Sequence, residues 1–572
     1  MSATADAPPR PAGPGAAAAD SAPRSVQLSA ADRVSAAAWP AVAVLAAALV
    51  LAPVAFLAGG LLDPAVEVWQ QQWRTRLPGE LLQTAGLLVG VGVGTVLLGG
   101  ALAWLVSAYR FPGSRILAWA LVAPLAVPGY VLGFVVLSVA GYTGPIQGSW
   151  RAAFGQTARF ADVESLGGAI VVFTLVLYPY VYLLARAALA DQAGTANDVA
   201  RSLGAGPVEA MRRVTGPLLR PAIAAGAGLV MMETLTDYAT VQYFGVDTVS
   251  VGLFRIWRGT FDRDAAAEFA ILLLVVALLV VAVERALRGR ARFGQAGGAG
   301  AGMTPRRLTG WRGALATVTC LAVLVPAFLA PVTQLGVWAV AEAAGPRGTP
   351  LVSRFGGYLA NSLVLAVTAA VACVVVAVLL ANAQRFSSWR PGALAVRAAT
   401  AGYGLPGPVL AIGVVLALVA LDAALGLLGW GLPGAVATGS FVGLVYAYTI
   451  RFLAPALGAV EAGIGQVPDE VTASARSLGR RPAGVLAAVH LPLARTSVLT
   501  AAVIVGIDAI KELPIVLLLR PFGFDTLSVW TYNLASESRF QQAALPALAI
   551  VAVALVPVLA LAGYHRRLGS RP

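Results

Sequence analysis

A helix that crosses a bilayer needs about 20 consecutive, mostly apolar residues. Twelve runs of that kind are read here, at about 38–60, 82–108, 115–140, 167–189, 218–241, 268–286, 313–341, 359–382, 396–421, 436–458, 493–519 and 542–564. Such a chain is expected to be an all-α polytopic membrane protein. Composition supports this: 58% of residues are hydrophobic and 12% charged, where a soluble domain carries about 25% charged. The many Gly and Pro inside the runs are tolerated in membrane helices.

The net charge of +13 comes from Arg in short loops and does not point to nucleic acid; Lys511 is the one lysine. Arg285, Arg288, Arg290, Arg292, Arg306, Arg307 and Arg312 crowd the middle of the chain, and Arg566, Arg567 and Arg571 its end. The loops at Arg110/Arg115 and Arg385/Arg390 fall on the same side. The positive-inside rule then predicts cytoplasmic termini and an inner (cytoplasmic) membrane setting in contact with lipid. Residues 1–35, rich in Ala, Pro and Ser, are expected to be a disordered cytoplasmic tail and not a signal peptide, since no apolar core follows a short basic start. Cys320 and Cys373 sit in apolar runs and read as buried small hydrophobes.

A polar, Arg-bearing stretch occurs twice. Asp198-Val-Ala-Arg-Ser-Leu-Gly204 recurs 275 positions on as Ala473-Ser-Ala-Arg-Ser-Leu-Gly479. Ala200 and Arg201 map to Ala475 and Arg476, Pro207 to Pro482 and Pro217 to Pro492. Each copy reads as a short helix, a Gly break, and a second helix opened by Pro that runs into a membrane span. Two small helices at an angle on the membrane surface make a knob that a partner protein can grip. The repeat extends further: Pro128-Gly129 matches Pro406-Gly407, Tyr178 and Tyr180 match Tyr446 and Tyr448, and Phe244-Gly245 matches Phe522-Gly523. The chain is therefore expected to hold two parallel six-helix repeats, 36–287 and 312–567, joined by a cytoplasmic linker at 288–311.

The knob resembles the cytoplasmic EAA loop of ABC importer permeases, in which Glu-Ala-Ala is followed by Gly and then by Ile-x-Leu-Pro. Asp198, Val199, Ala200, Gly204, Val214 and Pro217 match in the first copy; Ala475, Gly479, Val489, Leu491 and Pro492 match in the second. Asp198 stands for the usual Glu, Ala473 has no carboxylate, Gly216 replaces Leu, and Glu470 lies three residues upstream of Ala473. The resemblance implies a type I ABC importer permease fold. It also implies two ATP-binding partner subunits, as a homodimer, on coupling loops carrying Asp198, Ala200, Arg201, Gly204, Pro217, Ala475, Arg476, Gly479 and Pro492. An acid near a helix N-terminus stabilises by about 0.3–1 kcal/mol. Asp198, read as the start of its knob, is thus expected to make the first knob the tighter contact.

No catalytic residue is expected in this chain. A phosphate-cradling loop needs Gly-Lys-Ser/Thr, and Lys511 follows Ile510. ATP-Mg would therefore sit on the partner subunits, and the chain is not an ATPase. His490 and His565 lack partners at metal-ligand spacing.

Ionisable groups inside membrane spans are costly and point to function. Glu233 and Asp237 are four apart and share a helix face; Asp508 and Glu512 repeat them 275 positions on, with Lys511 beside Glu512. One reading is an acidic translocation pathway suited to hard cations, with Tyr178, Tyr180, Tyr446 and Tyr448 on the same route. The other is structural, with Lys511 neutralising Asp508 or Glu512 while Glu233 and Asp237 lack a nearby lysine. Lys511-Glu-Leu-Pro514, Leu518-Leu-Arg-Pro-Phe-Gly-Phe-Asp-Thr526 and Glu233-Thr-Leu-Thr-Asp-Tyr238 resemble the ferric-iron branch of fused ABC importer permeases. This implies ferric ion delivered by a periplasmic or cell-surface solute-binding protein. Permeases for thiamine, polyamine or phosphonate share the layout or the knob. An ion-coupled secondary transporter would also have twelve spans but needs no cytoplasmic knob.

Overall fold

The computed structural model describes residues 30–158, 161–190, 192–259, 262–288, 305–345, 348–386, 390–429 and 439–568. Most of the expected tail and of the linker lie outside these. Among the described residues ten helices are long and apolar enough to cross a bilayer, or eleven if the bent pair Pro482–Leu493 and Arg495–Lys511 is one span. The last expected run, 542–564, begins in a shorter apolar segment, Phe540–Val556. The strand content among the described residues is one two-residue parallel pairing, Tyr109 with Arg306 and Arg110 with Arg307.

Several expected spans are broken, each for a local reason. The run at 115–140 is a helix Ser114–Ala120, a tight turn Ala123–Ala126 and a second helix Gly129–Ala140. The run at 396–421 repeats this with Arg390–Thr400, Ala401–Gly404 and Gly407–Leu427. Pro128 and Pro406 cause both breaks, because proline lacks an N–H and drives the preceding residue out of the helical region. Val127 and Leu405 are extended accordingly, with ψ of 115° and 129°. The run at 218–241 stops at Thr236 and restarts as Ala239–Tyr243; the run at 493–519 stops at Lys511 and restarts as Pro514–Leu519.

Matching hydrogen bonds tie these breaks down in both halves. The Val249 amide donates to Thr84 Oγ1 at 3.0 Å, and the Leu527 amide to Ser362 Oγ at 2.8 Å. Ser250 donates to the Asp237 carbonyl at 3.4 Å, and Ser528 to the Glu512 carbonyl at 2.9 Å.

The halves interlock. The first helix, Ala30–Gly59, lies against Gly348–Phe386, Arg390–Thr400 and Gly407–Leu427 of the second half. Tyr446 donates to the Leu49 carbonyl, and a Cβ on Gly413 would stand only 2.7 Å from the Pro53 carbonyl oxygen. Reciprocally, Ala316, Cys320 and Leu324 of helix Gly310–Leu324 bury themselves among Leu102, Leu117, Tyr178 and Tyr182 of the first half. Thr317 donates to the Pro112 carbonyl at 2.8 Å. Each half thus lends its first helix to the other, which fixes the two halves side by side around a shared centre.

Candidate functional site

Two features stand out, one at the knob end and one between the halves. The first knob runs through helix Gln192–Ser202, Pro207–Ala210 and a wide turn Met211–Thr215; the second through Asp469–Ser477, Pro482–Val485 and Leu486–His490. Gly204 and Gly479 adopt φ of 94° and 79°, the left-handed region in which a side chain is strained. Both helix ends close the same way. The Gly204 and Ala205 amides donate to the Arg201 and Ala200 carbonyls, and those of Gly479 and Arg480 to the Arg476 and Ala475 carbonyls. This glycine-terminated closure satisfies carbonyls that a helix end would otherwise leave bare. It leaves Leu203 and Leu478 standing outward, 83% and 84% exposed. Pro217 and Pro492 lie in the first turn of the helices that follow.

The knob structure corrects one expectation. Helix Gln192–Ser202 starts six residues before Asp198, so Asp198 is not at its N-terminus. The dipole effect fades within the first turn, and the tighter-first-knob argument fails. In the second knob Asp469 and Glu470 do occupy the first turn.

Between the halves lies a cavity of about 160 Å³ lined by Glu233, Asp237, Asp508 and Glu512 together with Lys511, Arg451 and Tyr180. The four acids come together because helices Gly216–Thr236 and Arg495–Lys511, one from each half, both break there. Their roles divide. Asp237 and Glu512 cap the restarting helices: Asp237 accepts from the Thr240 amide and hydroxyl, both at 2.7 Å, and Glu512 from the Ile515 amide at 3.2 Å. Gly129 and Gly407 press against these caps. A Cβ there would lie 3.0 Å from Asp237 Oδ2 and 3.3 Å from Glu512 Oε1 respectively. Glu233 and Asp508 have no backbone to cap and face the cavity, with side chains 33% and 37% exposed.

Lys511 Nζ lies 2.9 Å from Asp508 Oδ1, so its partner is Asp508 and not Glu512. Glu233 does have a cation, Arg451, at 3.8 Å across the interface between halves. Arg451 is 5% exposed and is fixed to its own half by donating to the Leu405 and Tyr403 carbonyls at 2.6 and 3.2 Å. These carbonyls are left free by the Pro406 break. Sequence reasoning missed Arg451 because it sought charges that recur in both halves, and the position matching Arg451 in the register of the tyrosine pairs is Leu183. Its signal was simply an ionisable group in an apolar run.

Of the four expected pathway tyrosines only Tyr180 lines the cavity. Tyr178 is buried in the first half and donates to the Leu121 carbonyl at 2.8 Å. Tyr446 is spent on Leu49 of the first helix, and Tyr448 packs edge-on against Phe452. Tyr238 also lines the cavity, and Tyr532 and Tyr243 join the halves near it. Tyr532 donates to Gln242 Oε1 at 2.6 Å, and Tyr243 to the Tyr532 carbonyl at 3.3 Å, both across the halves. Tyr238 stacks on Phe254 at 3.8 Å beneath them. Among the described residues no three His, Cys, Asp or Glu gather closely enough to hold a metal ion; the acids form a lining and not a chelating cluster.

The family described as binding-protein-dependent transport system inner membrane component matches residues 95–292. The Fe(3+)-transport system permease protein FbpB 2 of Haemophilus influenzae is 26% identical over 501 residues, covering 86% of this chain and 91% of that protein. The molybdenum transport system permease protein ModB of Mycobacterium tuberculosis is 31% identical over 241 residues, 40% of this chain and 89% of that protein. The sulfate transport system permease protein CysT of Escherichia coli is 26% identical over 195 residues, 33% of this chain and 68% of that protein. Similarity to ModB and CysT thus covers less than half of this chain, whereas similarity to FbpB 2 covers 86% of it. The chain belongs to the family of binding-protein-dependent transport system inner membrane components and is a permease subunit of an ABC importer.

Proposed function

We propose that this permease passes ferric ion, handed over by an extracytoplasmic binding protein and driven by two copies of one ATP-binding subunit, each holding one knob. ATP-Mg is bound and hydrolysed on those subunits; the termini and knobs face the cytoplasm. The observation that carries the cargo assignment is the cavity, where four carboxylates outnumber two cations. Oxygen ligands of this kind suit a hard cation. An oxyanion such as sulfate would meet net repulsion there. Lys511 and Arg451 keep the acids from binding the ion too tightly, since conduction requires a site weak enough to leave. Closure of the ATP-binding subunits shifts the population between inward-open and outward-open states by binding one state better than the other. The pathway aligns with the knobs through two helices, one unbroken from Gly216 to Thr236 and the other, past a bend at Ala494, from Arg495 to Lys511.

The test is to purify the partner binding protein and measure which ligand stimulates ATP hydrolysis by the reconstituted complex. Ferric-loaded binding protein is expected to stimulate it. Stimulation by sulfate, molybdate or phosphonate in place of ferric ion would reassign the cargo.

A further inference from the structure

The Arg385 guanidinium fastens the second knob to the membrane domain. Arg385 ends helix Gly348–Phe386 at its knob end. It donates to the Ile464 carbonyl at 2.6 Å, the Val467 carbonyl at 2.7 Å, Asp469 Oδ1 at 2.9 Å and Thr472 Oγ1 at 3.0 Å. The first two are a carbonyl in the last turn of helix Phe441–Gly465 and one in the loop just after it; the last two lie in the opening turns of the knob helix. A cation suits this place on both counts, because it meets the negative end of one helix dipole and a carboxylate. Thr472 is buried and also pairs with His490 Nε2 at 3.1 Å, and the Phe386 ring stacks on His490 at 5.9 Å. His490 closes the wide turn through which the chain leaves the knob. Entry and exit of the knob are therefore gathered on residues 385 and 386.

We infer that Arg385 is the positioning residue that transmits displacement of the second knob to helix Gly348–Phe386 and so to the second half. The inference rests on the reading of the knobs as the grip of the ATP-binding subunits. Helix Gly348–Phe386 packs along both Phe441–Gly465 and Arg495–Lys511, the helices that carry Arg451 and Lys511 into the cavity. A push on the knob thus reaches the cavity by two routes, the direct one through Arg495–Lys511 and the one through Arg385. Gly194, Asn197 and Thr215 occupy the positions of Asp469, Thr472 and His490 in the first copy. Arg110, the counterpart of Arg385, is exposed and has its backbone paired with Arg307.

The test uses the full complex in proteoliposomes, with cargo moved per ATP hydrolysed as the readout beside membrane abundance and thermal stability. Arg385→Ala is expected to lower that ratio about tenfold, the factor for losing one charge-assisted hydrogen bond. Arg385→Lys keeps the charge but cannot span four acceptors, and is expected to recover part of the ratio. Thr472→Val, which removes the shared hydroxyl with little change of volume, should shift the ratio the same way by less. It serves as the deciding variant if Arg385→Ala fails to insert. A wild-type ratio in inserted Arg385→Ala, or failing that in Thr472→Val, overturns the inference. Failure of the unaltered chain to bind the ATP-binding subunits would instead remove the knob reading, which is scored separately by co-purification.

Discussion

A chain carrying Gly204→Val and Gly479→Val together is expected to insert normally, to retain ATP-binding partners weakly, and to lose most uptake. Both glycines hold positive φ, where a side chain costs about 1–2 kcal/mol per residue through contact with the following carbonyl. A β-branched side chain fares worst. Space is not the issue, because a Cβ at either position meets nothing within 4 Å. The strain falls on the backbone turn that closes each knob helix and sets the angle to the next. A cost of that size lowers the population of the correctly angled knob roughly tenfold at each site. The pair of single variants should each lose less than the double, since the sites are independent and far apart in sequence. Uptake and ATP hydrolysis measured on the same membranes decide it. Normal uptake by the double variant would show that the turn geometry is not what couples the knobs.

The second large effect concerns the acids. Glu233→Gln combined with Asp508→Asn is expected to cut uptake at least about tenfold, each lost charge interaction in a partly buried site counting for 1 kcal/mol or more, with the melting temperature little changed. Stability is retained because Arg451 keeps two carbonyl acceptors, the amide of Asp508→Asn still offers Lys511 an accepting oxygen, and neither acid caps a helix. Asp237 and Glu512 behave differently. Asp237→Asn and Glu512→Gln preserve an accepting oxygen for the cap and remove only charge. Asp237→Ala removes the cap as well and is expected to cost about 1 kcal/mol of stability. Uptake normalised to protein level, read beside thermal unfolding, separates pathway from structural roles. Full uptake by the Glu233→Gln and Asp508→Asn double variant would leave Glu233 and Asp508 as structural partners of Arg451 and Lys511.

Much of this arrangement was readable in the residues, and the exceptions have identifiable causes. The knobs were legible because a gapless repeat with Gly at one place implies a backbone need that occurs twice, and positive φ meets it. The breaks at Pro128 and Pro406 were present as the Pro-Gly pairs but were read as span interiors; pre-proline geometry is the signal that marks them. The partner of Lys511 was left open between Asp508 and Glu512. Helical spacing of three favours Asp508, and the helix ends at Lys511, so Glu512 turns to cap the next segment. Arg451 was hidden by the demand for symmetry. The exchange of first helices was not legible at all. Two lipid-facing apolar helices carry no mark of which neighbour they cover, and hydrophobicity does not choose between neighbours inside a bilayer. The position of Asp198 was misjudged because helix Gln192–Ser202 extends well upstream of the repeated motif.

The most direct measurement is cargo uptake into proteoliposomes holding this chain, its ATP-binding subunits and its binding protein, with the membrane potential and proton gradient collapsed by ionophores. The account predicts ferric-ion uptake that requires ATP and binding protein together and is indifferent to the ionophores. Uptake that persists without ATP and vanishes when the gradients are collapsed would contradict it.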